Sequence, residues 1–201
     1  MGLNLDNCGY QTVSPVLPGE FPSLSPGGYI CTICSASFQK SKSGNDMLVL
    51  FIDIADGEFK DFFKNAAKRV KNFDTSKQWD NSGIYRQVVF DNVGRVTPFF
   101  RGLLECIQKS NPNSRINSAD FEPDSLRGKL CGFIFAQEEY TKKDSSIGTR
   151  VFAKFPKTVD DIRNGNFKIP SIKKVNATAK PAQSEQDIFG GTDIDPSDVP
   201  F

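Results

Sequence analysis

The chain has 201 residues, the length of one domain or of one domain with a tail, and enough to bury a core without disulfide or metal staples. Aromatics make up 11% of it, 18 residues being Phe, and the net charge is only +1. There is no histidine, which removes His-based triads, imidazole metal ligands and imidazole bases, and leaves most enzyme classes without their usual acid–base group.

No apolar run reaches the length of a membrane span. Met1–Asp6 lacks a basic start and a long apolar core, so it does not read as a signal peptide, and Asp6 stands where a myristoylation signal needs Ser or Thr. The expected compartment is the cytoplasm, where the five cysteines would be reduced.

Residues 1–28, rich in Pro, Gly and Ser from residue 9 on, read as an extended arm. A first strand is expected over 29–36, a polar loop over 38–45, and a second strand over Met47–Ile54, rich in β-branched and aromatic residues. Two segments compete for the third strand: 58–65, with Phe59, Phe62 and Phe63, and 84–91, with Tyr85, Val88, Val89 and Phe90. Thr97 and Pro98 fit an N-cap and first helical residue, and Phe99, Phe100, Leu103, Leu104 and Ile107 follow at helical spacing until Asn111-Pro112. Further strands are expected over 128–138 and 149–155, on either side of a loop over 140–148. Five strands with one helix between the third and fourth match the order of an OB-fold, a mainly β, partly open Greek-key barrel spanning 29–173.

From 174 onward the chain carries two Lys against five acidic residues. The composition of 174–192 predicts a disordered linker. Apolar residues return among carboxylates in the last stretch, 193–201, where Asp193, Asp195 and Asp198 precede Val199, Pro200 and Phe201. A terminal Phe with a free carboxylate beside Asp198 suits an apolar pocket rimmed by basic residues, which marks these six residues as a partner-binding tip.

In an OB-fold, oligonucleotides lie across strands 2 and 3 between the loops joining strands 1–2 and 4–5. Here the first loop carries Lys40 and Lys42, and the second Lys142 and Lys143, with Arg150 just beyond. Cations so placed give salt-dependent binding by counterion release, although a loop Lys is also an ordinary solvated residue. On the second strand Leu48, Leu50, Ile52 and Ile54 share the core face, which leaves Phe51 on the other as a stacking candidate. Trp79 and Tyr85, near Lys77 and Arg86, combine aromatic and basic character in the way a single-strand channel does. The alternative for each aromatic is a place in the core.

Cys31 and Cys34 form a lone CxxC with no second ligand pair, so they read as core thiols and no metal or cofactor is expected. Asp53, Asp56, Glu58 and Asp61 form a carboxylate cluster that a metal-dependent nuclease could use, but Asp56-Gly57 is also a good turn.

The acidic run ending in Asp198-Val199-Pro200-Phe201 resembles the tip of bacterial and phage single-stranded DNA-binding proteins, although Pro196-Ser197 thins its charge. Over about 27–173 the body is similar to the single-stranded DNA-binding proteins of phages of Gram-positive bacteria. The matching stretches are Ser41-Lys42-Ser43-Gly44-Asn45, Gly57-Glu58-Phe59, Phe99-Phe100-Arg101-Gly102, Lys109-Ser110-Asn111-Pro112, Gly128-Lys129 and Glu138-Glu139-Tyr140. The resemblance implies an OB-fold without catalysis that protects single strands in replication, recombination and repair. It also implies a tip that docks replication and recombination proteins, in the host cytoplasm. Homo-oligomerisation stays open. The competing readings are a tail-mediated adaptor that binds no DNA and a metal-dependent nuclease.

Overall fold

The computed structural model describes residues 23–71, 79–142 and 144–175. Lys77, Lys143, most of the N-terminal arm, the linker from 176 on and the whole tip from Asp193 to Phe201 lie outside them. Five antiparallel strands, β1 (Gly27–Lys40), β2 (Asp46–Ile54), β3 (Ile84–Val88), β4 (Leu130–Thr141) and β5 (Ile147–Lys157), form one open sheet in the order β3-β2-β1-β4-β5. Among the described residues three α-helices accompany it: α1 (Phe62–Lys71), α2 (Pro98–Ser110) and the short α3 (Val159–Arg163). Among the described residues no helix is long and apolar enough to cross a membrane.

β1 organises the sheet. Its first part, from Gly27 opposite Phe135 to Thr32 opposite Leu130, pairs with β4, while Cys31–Lys40 pairs with β2. Only Cys31 and Thr32 have a partner on both sides, and the register slips between Ile33 and Ser35. A bulge bends the strand that carries it, so the two halves of β1 serve different neighbours. The strand is longer than its expected span of 29–36: it takes in Gly27 and Gly28 from the arm and runs to Lys40, leaving a tight loop over 41–45.

β2 is buried from Met47 through Ile54. Alternation predicts one open face, but both are covered. Phe51 meets Trp79 edge-on at 6.4 Å, and Trp79 packs on Phe63 of α1 at the same distance. A strand covered on both sides reads as a continuous apolar run, as Met47–Ile52 does.

The third strand is 84–88; the competing segment around 58–65 instead leads into α1. The N-terminus of α1 is capped from a distance: the Asp53 carboxylate on β2 accepts from the N–H of Phe63 at 2.9 Å and of Lys64 at 3.3 Å. Phe63 and Ala67, four residues apart, are buried, while Lys64 and Lys68 are exposed. The helix expected between the third and fourth strands is α2; α1, between β2 and β3, and α3, after β5, add to it.

α2 starts as expected, with Pro98 in its first turn and Thr97 Oγ1 accepting from Phe100 N at 3.2 Å. Its end is locked to β4 by Asn111, whose Nδ2 donates to Ile107 O and Leu130 O while Oδ1 accepts from Leu130 N. α3 carries a capping box between Thr158 and Asp161. Beyond it the chain returns across the sheet. A Cβ on Gly28 would lie 2.5 Å from the Phe167 ring, so any larger residue there would push that ring aside. Lys173 then bridges to Glu138 in parallel, and Glu139 N donates to Lys173 O at 2.9 Å.

Candidate nucleic-acid interface

The most distinctive surface lies on β5. Its register with β4 pairs Gly148 with Tyr140, Arg150 with Glu138 and Phe152 with Ala136. The register then shifts: Ala153 pairs with Phe135 but Phe155 pairs with Ile134, which leaves Lys154 as the extra residue of a bulge. Ile134 and Ala136 share a face, so the bulge brings Phe155 to the face of Phe152, although three residues normally separate faces. Lys154 Nζ lies 5.9 Å from the centroid of the Phe152 ring and 5.7 Å from that of Phe155. The Arg150 guanidinium lies 5.7 Å from the centroid of Phe152 and 5.4 Å from that of Tyr140. Aromatic and cationic groups thus alternate along one strip, with Phe155 45% exposed.

β3 and β5 are the two edges of the sheet, and a cleft of about 400 Å³ lies between them. Arg86 and Gln87 of β3 line one side, Phe152, Lys154 and Phe155 the other, and Phe99 of α2, 77% exposed, closes an end. Arg86 is half-buried, its Nε has no hydrogen-bond partner, and burial holds its pKa below the usual arginine value. Arg150, by contrast, is committed to Glu138: Nε donates to Oε1 at 2.6 Å and Nη2 also pairs with that oxygen.

The expected stacking residues are not on this surface. Phe51 (2% exposed), Trp79 (5%) and Tyr85 (7%) are core side chains. Phe51 and Trp79 cover each other and Phe63, and Tyr85 packs on Phe133 with ring centroids 5.1 Å apart. A base needs an open ring face, which none of the three presents, so their expected stacking role is corrected to a packing role.

The basic loops behave as expected in exposure and differ in charge. Lys40 is exposed but lies 2.7 Å from Asp46 Oδ1. Lys42, exposed in the loop closed by Asn45 N donating to Ser41 Oγ, forms no ion pair among the described residues, and neither does exposed Lys142. Register places the two loops at opposite ends of β1: one follows Lys40, and the other lies past Gly27, where β4 runs on from Phe135 to Thr141. The cleft between β3 and β5 and the strip along β5 are the concave, basic and aromatic parts of this surface.

No protein-family model matches this sequence, and no curated protein matches it either.

The residues that sequence reasoning missed are Phe99, Phe152, Lys154 and Phe155. The signal for part of the strip was present: Arg150, Phe152 and Lys154 alternate cation, ring, cation along one strand face. Phe99 shares the helical spacing of Phe100, Leu103 and Ile107 in the sequence, but it is exposed on the first turn of α2, where Phe100 takes the buried place. The carboxylate cluster also resolves. Asp53 is buried and holds three backbone N–H groups, Ile54 being the third, and Asp61 pairs with Lys64 at 3.4 Å. A larger apolar groove of about 910 Å³, between α2 and the ends of β1 and β3, has Arg101 at its rim, but that residue is paired with Glu105.

Proposed function

We propose that this chain binds single-stranded DNA without catalysis, along the strip on β5 and the adjoining cleft. The observation that carries the reading is the alternation of Phe152, Lys154 and Phe155 on one face, made by the β5 bulge and standing beside an open cleft. Bases stacked on such rings contribute about 1–3 kcal/mol each, whatever the sequence, while nearby cations meet the backbone. Lys42 and Lys142 extend that cationic path toward the two ends of the sheet. The strand order supports an OB-fold: if β3 and β5 closed on each other, the open sheet would become a five-stranded Greek-key barrel. Protection of single strands during phage replication, recombination and repair in the host cytoplasm follows from the sequence resemblance. So does recruitment of replication and recombination proteins by Asp193, Asp195, Asp198, Val199, Pro200 and Phe201. Fluorescence anisotropy with labelled single- and double-stranded DNA at two salt concentrations, with and without Mg²⁺, tests the reading. Salt-dependent binding that favours the single strand is expected; equal affinity for duplex, no binding, or cleavage would overturn it.

A further inference from the structure

We propose that the cleft between β3 and β5 takes the edge of one nucleobase, that Arg86 reads it, and that guanine is the base it selects. The proposal rests on the single-strand reading above and adds sequence preference at one position of an otherwise tolerant path.

Arg86 lies opposite Val49 on β3 and is half-buried. Its Nε is buried and has no hydrogen-bond partner, and no carboxylate among the described residues pairs with it. Glu138, the acidic residue lining the cleft, is engaged by Arg150. Gln87 is likewise engaged: its Oε1 accepts from Tyr85 Oη at 3.1 Å and its Nε2 donates to Val88 O at 3.3 Å. The cleft therefore offers two cations that no carboxylate pairs with among the described residues, Arg86 and Lys154, and of the two only Arg86 carries a planar fork of donors.

The surroundings choose among ligands. Phe99, Phe152 and Phe155 give the cleft aromatic walls, and the charge of Glu138 is met by Arg150. A backbone phosphate suits the point charge of Lys154, which leaves the guanidinium of Arg86 for the base. A flat base would place its faces on the rings and its polar edge toward the guanidinium. The fork of an arginine matches two adjacent acceptors, and guanine presents such a pair in O6 and N7. Adenine sets a donor beside N7, and thymine sets a methyl group or its N3 donor beside each acceptor, so both meet the fork less well; cytosine pairs O2 with N3 on its Watson–Crick edge, so a single central dC that binds as tightly as dG would overturn the choice of guanine.

The test uses the full chain and labelled oligomers of about 20 nucleotides, longer than the ~4–16 nucleotides that one such domain covers. One oligomer is all dT, one carries a single central dG, and one carries 7-deaza-dG at that place, which lacks the N7 acceptor. Wild-type protein should bind the dG oligomer at least about fivefold more tightly than all-dT, and 7-deaza-dG should lose most of that gain. Arg86→Ala and Arg86→Lys should bind the all-dT and dG oligomers with equal affinity. Equal wild-type affinity for all three oligomers overturns the proposal and leaves the single-strand reading intact. An Arg86→Ala variant that loses affinity equally for every oligomer, with a shallower salt slope, overturns it in favour of a phosphate contact. Failure of every oligomer to bind overturns both readings. The 7-deaza comparison uses wild-type protein, so it decides even where an Arg86 variant folds poorly.

Discussion

Arg150 on β5 donates from Nε to Glu138 Oε1 on β4 at 2.6 Å, directly across the strand pair. The Glu138 side chain is 10% exposed and that of Arg150 25%, so the pair is screened only in part. Removing either partner leaves the other poorly solvated, and the more buried Glu138 suffers more. Arg150→Ala should therefore cost about 2–4 kcal/mol of stability, Glu138→Ala less, and the double variant less than their sum. Urea denaturation of the four proteins reads the coupling.

Phe152→Ala and Phe155→Ala should each weaken single-strand binding by about 1–3 kcal/mol, with little change in the melting temperature for the exposed Phe155. Trp79→Ala should do the reverse, because Trp79 is packed between Phe51 and Phe63; truncation of such a ring costs about 3–5 kcal/mol. Anisotropy titrations and thermal melts on the same samples separate the two classes. Normal binding by the Phe152 and Phe155 variants would move the DNA path off β5.

The loop lysines should not be equivalent. Lys42→Ala and Lys142→Ala should each lower the log–log salt slope of binding by about 0.7, the value of one lost phosphate contact on a single strand. Lys40→Ala should change it less, because Asp46 already neutralises Lys40. Titrations over a range of NaCl concentrations check the ranking.

Burial raises the Asp53 carboxyl above its ordinary value, against the pull of the Phe63, Lys64 and Ile54 N–H groups. The folded protein then holds that proton more tightly than the unfolded chain. The contribution to stability is complete below the unfolded carboxylate range and is lost as pH rises through the native value. Asp53→Asn has no such titration, so wild type should gain stability relative to it as pH falls from neutral through the carboxylate range. Denaturant melts of both proteins across that range measure the change, and a constant difference would refute it.

Deleting residues 193–201 should leave single-strand affinity unchanged or slightly higher, most visibly at low salt, where an acidic segment competes best for a basic surface. The same deletion should abolish capture of replication and recombination proteins, and Phe201→Ala alone should remove most of it. A truncated protein that loses DNA binding but still captures those proteins would reverse the assigned roles.

What the sequence makes legible is what neighbouring residues decide. Thr97-Pro98 announces α2 because a cap and its first turn are adjacent in the chain. Met47–Ile54 announces β2 by its run of β-branched and aromatic residues. α1 is hidden because its cap, Asp53, sits on a strand, so the segment before Phe62 carries no start signal of its own. The burial of Phe51 and Trp79 is hidden for the same reason: α1 is the element that covers them. The exposure of Lys42 and Lys142 is legible, since both stand in polar loops between strands. The rings of the site are not, because the face of Phe155 depends on a single register slip between β4 and β5.

The shared pairing of β1 also has a consequence in time. Gly27–Thr32 emerge from the ribosome well before Leu130–Phe135, the residues that complete their hydrogen bonds. During that interval Gly27–Ile30 extend beyond the β1–β2 ladder, which begins at Cys31, and are open to pairing with any other extended chain. Contacts between distant segments form slowly, so the nascent protein passes through an association-prone stage that ends only when β4 arrives.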